Sequence, residues 1–357
     1  DEKYKELLKQ AKFFNVKNLI ITNKESFLKI KREKYSKKIK IFNNFNDLNK
    51  IFKKKIDYTM SSISGIQGLK PTIEIIKYTK KIAIANKEAI ICGWDLIQKR
   101  LKAHKTEFIP VDSEHFSIWY ALKGIDKQLI DKIYLTASGG PFLNKSSKKL
   151  KKVNIKQATN HPNWKMGKKI SVDSATLINK MFEVIEAKNI FNIPYNKIKI
   201  LIHPKSYVHA IIKTNDGLIK IIAHDTNMKI PIWNSIYEGD NNQNFLQSKK
   251  TNINILNSLN LQKVRIKKFP IIKILNRITK EESLFDTVLV SINDELVSLF
   301  LENKIKFLDI SSKIWHLINS PLFSKFKHQK PKNLAQIEKL NEFVRLKTRA
   351  LSVISQK

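Results

Sequence analysis

The first 120 or so residues alternate short apolar runs with stretches of helical periodicity. Each run has the length of a β-strand, and polar residues follow it. Strands that alternate with helices predict an α/β fold with a parallel, doubly wound sheet, which binds its ligands beyond the carboxyl ends of the strands. The runs are NLIIT (18–22), KIKIF (38–42), IDYTMSSIS (56–64), KIAIA (81–85) and TEFIPV (106–111).

Two further units follow in the pattern. The stretch DKIYLTASGGPF (131–142) is typical of a strand that opens into a Gly-Gly turn, and NDG (215–217) is typical of a hairpin turn between two strands. A long helix is predicted from Ser174 onwards, and helical periodicity dominates after Pro270. The sequence therefore predicts a parallel-sheet domain, an α/β domain, a linker and a helical domain, with boundaries at 1–122, 123–245, 246–270 and 271–357.

Composition narrows the class of protein. The chain has 357 residues, 42% of them hydrophobic, and a formal net charge of +36. Nucleic-acid binding would require a clustered basic face with exposed aromatic side chains, whereas these lysines alternate with Ile and Asn along the whole chain. We therefore expect no nucleic-acid partner. The single cysteine, Cys92, excludes an intrachain disulfide and a thiolate metal cluster. The apolar runs are too short to span a bilayer, so no membrane partner is expected.

Two carboxylates follow the fifth apolar run, in VDSEH. In an extended segment, residues two apart point to the same side, so Asp112 and Glu114 would share one hard cation. Alone, this spacing is also that of ordinary solvated residues at a strand end. The position beyond a parallel strand favours the ligand site.

The helix predicted after SVD offers a site for an anion. Ser174 has the character of an N-cap, and Asn179, Lys180 and Glu183 fall at helical spacings on one side. A helix start suits a phosphate, the amides of the turn after Ser138 would approach an anion closely, and Glu183 would complete an oxygen site for a metal. The alternative is a capped surface helix in which Lys180 and Glu183 form an ordinary ion pair.

The loop HPNWKMGKK (161–169) places large apolar side chains among polar ones. Trp164 and Met166 either fill a crevice of the core or cover a ligand as a lid that excludes water. His161 is either a structural histidine or part of that lid. Its nearness in sequence to Ser174 and Lys180 favours the lid.

Taken together, these stretches identify a family. ANKEAI, PVDSEH, SGGPF, HPNWKMGKKISVDSATLINKMFEVIEA, LIHPKSYVHA and the later NDE resemble, in order and spacing, the 1-deoxy-D-xylulose 5-phosphate reductoisomerase family. The resemblance runs through essentially the whole chain. It implies a Rossmann-like NADPH domain that is truncated here, a phosphorylated sugar substrate, a homodimer, and a cytoplasmic location in a bacterium or a plastid location in a eukaryote.

The resemblance also implies roles for individual residues. The divalent cation, Mg²⁺ or Mn²⁺, is held by Asp112, Glu114 and Glu183. The substrate phosphate is held by Ser138, Ser174, Asn179 and Lys180. Lys87 and Ser113 lie near the reacting backbone of the substrate, and His161, Trp164 and Met166 belong to the closing loop. The cofactor contacts are Asn86, Glu88 and Gly167. The catalytic residues that also bind substrate are Lys87, Glu114, His161 and Glu183.

The implied reaction has two steps. The metal binds the ketone and the neighbouring hydroxyl of the substrate while a carbon–carbon bond breaks and reforms, and NADPH then reduces the aldehyde to 2-C-methyl-D-erythritol 4-phosphate. Retro-aldol cleavage with aldol recombination is favoured over a direct 1,2 shift, although the sequence does not separate the two routes.

The sequence departs from the family in two places. The family opens with a strand and a glycine-rich turn, G-S-T-G-S-I-G, and the chain begins after it. We expect the sequence to be a fragment of a longer product; a complete chain of this length would bind NADPH weakly, or would be an inactive relative that keeps the fold and the metal site. Met181 stands where the family has glycine, so crowding is expected between the phosphate and metal residues.

Overall fold

The structure is a computed structural model that describes residues 3–32, 39–238 and 253–353. Lys38, at the start of the second apolar run, and the first part of the predicted linker, 246–252, lie outside the described residues.

The N-terminal part is α/β with parallel strands, as the apolar runs predict. Its strands pair in two separate sets: β1 with β2, and β3 with β4 and then β5. The α/β class is confirmed, but the described strands do not form the single doubly wound sheet that was expected. The elements are α1 (Tyr4–Phe13), β1 (Asn18–Ile20), α2 (Lys24–Arg32), β2 (Lys40–Phe42), α3 (Leu48–Ile51), β3 (Ile56–Ser61), α4 (Leu69–Ile75), β4 (Thr79–Ile84), α5 (Lys87–His104), β5 (Glu107–Pro110) and α6 (Ser113–Ala121).

A five-stranded mixed sheet follows, in the order β10-β7-β6-β8-β9. β6 and β7 are parallel, and β8 and β9 form the predicted hairpin, with Gly217 of NDG at φ +90°. The predicted hairpin is therefore confirmed. The elements of this part are β6 (Ile130–Ala137), α7 (Ser147–Leu150), α8 (Ile155–Thr159), α9 (Lys168–Thr176), α10 (Ile178–Phe191), β7 (Ile198–Ile202), β8 (Val208–Thr214), β9 (Ile219–Ala223), α11 (Lys229–Ile236), α12 (Ile253–Leu256) and β10 (Gln262–Lys263).

The helix predicted from Ser174 onwards is wrong at its start. Ser174 lies in the last turn of α9, which begins at Lys168. Leu177 ends α9 in the left-handed conformation, at φ 70°, and its N–H donates to the Ser174 carbonyl. Its side chain is buried, and this burial offsets the strain of a left-handed leucine. The next helix, α10, starts at Ile178.

Helices form the C-terminal part and share a core with the helices before them. α13 is buried along nearly its whole length and packs against α16, α14 and α5. One hydrophobic cluster runs from Ile90 of α5 through Phe182 of α10 to Leu289 of α13. This packing against α13 fixes the positions of α5 and α10. The remaining elements are a 3₁₀ helix (Pro270–Asn276), α13 (Leu284–Leu301), α14 (Phe307–Asn319), α15 (Pro321–Ser324) and α16 (Leu334–Val353).

Among the described residues, no helix combines the length and the apolar character that a bilayer crossing requires. The domain boundaries given above stay predictions.

Candidate active site

One cleft collects the residues predicted to bind metal and substrate. It has a volume of about 260 Å³ and lies where β4, β5 and β6 end, against α10. β4 and β5 are parallel neighbours whose carboxyl ends meet at one edge of their sheet, and β6, from the five-stranded sheet, ends at the same cleft. The predicted residues that line it are Lys87, Asp112, Ser113, Glu114, Ser138, His161, Trp164, Met166, Ser174, Asn179, Lys180 and Glu183.

Three carboxylates converge at the floor of the cleft. Asp112, Glu114 and Glu183 each offer an oxygen, and these oxygens lie within 4.8 Å of one another. The extended geometry expected for Asp112 and Glu114 is wrong, because Asp112 precedes α6 and Glu114 lies in its first turn. Glu183 completes the group from α10. A set of carboxylate oxygens fits Mg²⁺ or Mn²⁺.

Two buried lysines neutralise part of this charge. The Lys87 ammonium lies 2.9 Å from Asp112 Oδ2 and 3.4 Å from Glu183 Oε1. The Lys180 ammonium lies 2.5 Å from Glu114 Oε1 and also contacts Glu183. Each carboxylate therefore has an ammonium beside it, and the five groups carry a net formal charge of −1.

The charges shift the pKa values of these groups in opposite directions. Burial acts to raise the pKa of Asp112, but the Lys87 ammonium beside it holds that pKa well below its usual value. Burial, with the neighbouring charge of Glu183, raises the pKa of Glu114 to about 7. Burial acts to lower the pKa of Lys87, yet the charges of Asp112 and Glu183 raise it well above its usual value. The lysine stays protonated.

The predicted phosphate residues form one wall of the cleft. Asn179 and Lys180 lie in the first turn of α10, and the start of a helix suits an anion. Ser138 follows β6, and its Oγ accepts a hydrogen bond of 3.0 Å from Gly140 N. A Cβ on Gly140 would lie 2.8 Å from the Ser174 carbonyl oxygen, so the glycine allows this turn to approach the end of α9. Ser174 thus reaches the wall from a helix end, whereas an N-cap was expected.

Residues 161–167, which we call the lid, are fastened over the cleft by hydrogen bonds. Asn163 N and Trp164 N donate to His161 Nδ1 at 3.2 and 3.0 Å, and His161 Nε2 lies 3.0 Å from Ser138 Oγ. Because Nδ1 accepts, the ring proton is on Nε2 and is donated to Ser138. Burial lowers the pKa of His161 to about 4, so the ring is neutral at pH 7.

The structure adds residues that the sequence did not single out. Asn163 Nδ2 donates to Pro204 O at 2.6 Å and to Ser206 Oγ at 2.9 Å, which ties the lid to the turn between β7 and β8. His209 lines the cleft beneath the edge of Trp164, and His224 stacks on it at 3.7 Å. The available sequence signal was that Ser206 and His209 lie within LIHPKSYVHA, one of the stretches that resemble the family.

A histidine also lies behind the carboxylates. His115 Nδ1 is 3.4 Å from Glu186 Oε2 and 3.7 Å from Asp112 Oδ1, and its Nε2 contacts the Glu183 carbonyl at 2.9 Å. His115 is fully buried. It therefore supports two of the three carboxylate residues from the protein interior.

The predicted cofactor residues lie outside this cleft, beside it. Asn86 caps α5, since its Oδ1 accepts from Ala89 N at 2.7 Å and its Nδ2 donates to Gly65 O at 2.7 Å. Glu88 follows Lys87 and binds Lys169 at 2.8 Å. Gly167 precedes α9 and is exposed. Their contact with NADPH stays a prediction.

The crowding expected at Met181 is wrong. Its side chain is fully buried in the hydrophobic core and does not line the cleft. Successive residues of a helix point about 100° apart, so the neighbour of Lys180 faces the interior.

Comparison with protein-family models gives three matches. Residues 1–93 match 1-deoxy-D-xylulose 5-phosphate reductoisomerase. Residues 108–191 match the C-terminal domain described for that enzyme, and residues 225–347 match a further DXP reductoisomerase C-terminal domain.

Individual relatives and solved structures agree with these matches. The 1-deoxy-D-xylulose 5-phosphate reductoisomerase of Pelagibacter ubique is 57% identical over 355 residues, which are 99% of this chain and 91% of the relative. That of Clostridium kluyveri is 40% identical, over 84% of this chain and 78% of the relative. A crystal structure of DOX-P reductoisomerase with NADPH, fosmidomycin and magnesium is 27% identical, with a TM-score of 0.89 over 99% of this chain and 90% of its own. The Zymomonas mobilis reductoisomerase with NADPH has a TM-score of 0.83 at 27% identity, over 98% of this chain and 89% of its own.

Proposed function

The chain belongs to the 1-deoxy-D-xylulose 5-phosphate reductoisomerase family, and from this we propose how its residues perform the family reaction. The protein is an NADPH-dependent, metal-dependent enzyme of isoprenoid precursor biosynthesis. It isomerises 1-deoxy-D-xylulose 5-phosphate and reduces the product to 2-C-methyl-D-erythritol 4-phosphate. The observation that carries the assignment of roles is the convergence of three carboxylates beside a helix start in one cleft.

The metal site is the first part of the proposal. Asp112, Glu114 and Glu183 hold one Mg²⁺ or Mn²⁺, and the ion, when bound, supplies a Lewis acid for the ketone and hydroxyl oxygens of the substrate. The Lys87 ammonium, protonated and within reach of the same carboxylates, donates a hydrogen bond to a substrate oxygen. Ser113 lies between two of the ligands and faces the same space. Isomerisation by carbon–carbon cleavage and recombination belongs to this proposal.

The phosphate and the lid place the substrate against that metal site. Ser138, Ser174, Asn179 and Lys180 bind the phosphate, using side-chain donors and the N–H groups at the start of α10. Trp164 and Met166 cover the substrate and exclude water, and His161 holds the lid to the phosphate wall through Ser138. NADPH supplies the hydride when it is bound. The residues proposed to contact it are Asn86, Glu88 and Gly167.

Spectrophotometry tests the function directly. NADPH absorbance is followed with 1-deoxy-D-xylulose 5-phosphate and Mn²⁺, and the Pelagibacter ubique relative serves as the positive control. We expect oxidation that requires both substrate and metal and stops with a chelator. A second chain, extended at its N-terminus by the corresponding segment of that relative, tests the expectation about the glycine-rich turn. No oxidation by either chain, with the control active, would overturn the assignment.

A homodimer and a cytoplasmic location belong to the same proposal. β9 is the last strand of its sheet; Leu218, just before it, and Ile219, its first residue, are 67% and 58% exposed. α6 packs beside this strand and α11 packs against α6; Tyr120 of α6 and Tyr237, directly after α11, are exposed. An exposed apolar edge strand favours pairing with a second copy of the chain. The cytoplasmic location is proposed because the relatives named above come from bacteria.

Sedimentation velocity tests the dimer. Ile219→Lys combined with Ile221→Lys puts charge on the β9 edge and should convert a dimer into a monomer. Phe13→Lys removes a comparably exposed apolar side chain from α1, far along the chain, and should leave the dimer unchanged. A monomeric unmodified protein at micromolar concentration would contradict the proposal.

A further inference from the structure

The side chain of Lys169 joins three helices through charge. Its ammonium lies 2.8 Å from Glu88 Oε1 on α5, 3.1 Å from Asp173 Oδ2 on α9 and 2.9 Å from Asp294 Oδ1 on α13. Asn293 Nδ2 of α13 donates to the other oxygen of Asp173 at 2.8 Å. We call Lys169, Glu88, Asp173 and Asp294 the Lys169 cluster.

The Lys169 cluster is short of positive charge. Its three carboxylates are 11%, 2% and 12% exposed, and among the described residues Lys169 is the cation that pairs with all of them. Buried carboxylates without a counter-charge repel one another and are costly to desolvate. The ammonium therefore bridges α5, α9 and α13 at this point and offsets the repulsion between their carboxylates.

The position of the cluster links it to the cleft. Lys169 is the second residue of α9, directly after the lid, and Ser171 N and Oγ both bond to the Gly167 carbonyl at the start of this helix. Glu88 is the neighbour of Lys87, whose ammonium contacts Asp112. A displacement of α9 relative to α5 would move the base of the lid away from Lys87.

We propose that Lys169 is a positioning residue that fixes the base of the lid against α5 and α13, so that Trp164 and Met166 cover the substrate. The connection of Lys169 to substrate binding rests on the proposed function of the lid. The role of Lys169 in fixing the base of the lid does not depend on that function. The cluster lies outside the cleft and contributes no side chain to it. Lys169 thus acts on the reaction through the position of other residues.

Hydrogen–deuterium exchange of the full chain tests the positioning role without turnover. In Lys169→Met, the amides of residues 161–168 should exchange about tenfold faster, because the lid opens more often. Lys169→Arg keeps the charge and should restore most of the protection. Lys168→Met removes the same charge from the neighbouring exposed residue, which makes no ion pair within the described part of the chain, and should leave exchange unchanged.

Kinetics test the link to substrate binding. Lys169→Met should raise KM for the substrate about tenfold while kcat changes less than about threefold, since a loose lid weakens binding more than it alters the bound geometry. A general loss of structure would instead lower kcat as well as raise KM, and Lys169→Arg would not restore KM selectively.

Two further outcomes are decisive. If Lys169→Met does not fold, Lys169→Met/Asp294→Asn, which leaves one fewer unpaired carboxylate, takes its place and should show the same faster exchange. Unchanged exchange in that variant or in Lys169→Met, or equal effects from Lys168→Met, would overturn the proposal. If no variant and no unmodified protein turns over, the enzymatic assignment fails, while the exchange data still decide the positioning role.

Discussion

The Lys87 ammonium lies 2.9 Å from the carboxylate of Asp112, one of the three carboxylates that would hold a divalent cation. Burial acts to lower the pKa of Lys87, but the charges of Asp112 and Glu183 outweigh the effect of burial and raise this pKa well above its usual value. A cation that enters the site therefore competes with a protonated lysine.

Lys87→Met should tighten metal binding while it reduces turnover. Removing a positive charge a few ångströms from the cation favours binding, and we expect at least about a tenfold gain in Mn²⁺ affinity. Titration calorimetry with Mn²⁺ in the absence of substrate measures it. An affinity that falls would mean that Lys87 supports the ligands more than it competes with the ion.

Glu183→Gln should weaken metal binding, which is the opposite of the change in affinity expected for Lys87→Met. The amide removes an anionic ligand, so Mn²⁺ affinity should fall by more than the roughly 10- to 100-fold that loss of an outer partner costs, and turnover at limiting metal should cease. Electron paramagnetic resonance of free Mn²⁺ measures the affinity.

Glu186→Gln is the matched control for that change. Glu186 lies about one turn after Glu183 on α10. Burial raises the pKa of Glu186 to about 8, so a glutamine resembles the protonated form present at pH 7. Its Mn²⁺ affinity should stay close to that of the unmodified protein. Equal losses from both variants would show that Glu183 is not a ligand.

His161 should make the fold less stable in acid. Burial lowers the pKa of His161 to about 4, whereas an unfolded chain binds the proton near pH 6.5. Between these values the unfolded state holds more protons, so the free energy of unfolding falls as pH drops from about 6.5 to about 4 and is unaffected by this group above that range.

Two measurements check that sign. Urea unfolding at pH 7.5 and pH 5 should show a smaller difference in His161→Gln than in the unmodified protein. The NMR signal of the His161 ring, assigned by its absence in the variant, should not titrate above about pH 5. A midpoint near 6.5 would contradict the lowered pKa of His161.

Gly140→Ala should disturb the phosphate wall. Gly140 has φ +67°, and the added Cβ would lie 2.8 Å from the Ser174 carbonyl oxygen and 3.0 Å from Ala175 Cα, both of them backbone atoms. We expect a loss of about 2–4 kcal/mol in the free energy of unfolding and a higher KM for the phosphorylated substrate.

Gly124→Ala isolates the clash from the backbone strain. Gly124 has a similar φ of +73°, but a Cβ there meets nothing within 4 Å. It should cost about 1 kcal/mol, from the left-handed conformation alone, and leave KM unchanged. Urea unfolding of both variants compares them, and equal losses would exclude the contact between the two segments as the cause.

The sequence was most informative where a motif is local. The hairpin at NDG and the α/β class follow from turn residues and periodicity, and both are confirmed. The meeting of Asp112 with Glu183 is a contact between segments about 70 residues apart, and no periodicity encodes it. The family resemblance supplied that pairing.

Local signals failed where tertiary packing decides the backbone. Ser174 has the chemistry of an N-cap, yet it lies inside α9, which ends three residues later at Leu177. A leucine in a left-handed conformation has no sequence signature, and its burial in the core stabilises it. Ser206, in the turn between β7 and β8, and His209, in β8, were missed for the related reason that a single serine or histidine near a strand is usually structural.

The break at Leu177 divides the phosphate wall between two helices. α10 carries Asn179, Lys180 and Glu183, whereas α9 carries Ser174 and continues from the lid. Both helices are packed into the same hydrophobic core, through Val172 and Ala175 of α9 and Phe182 of α10. The single left-handed residue therefore sets the angle between the helix that follows the lid and the helix that bears the proposed metal ligand Glu183.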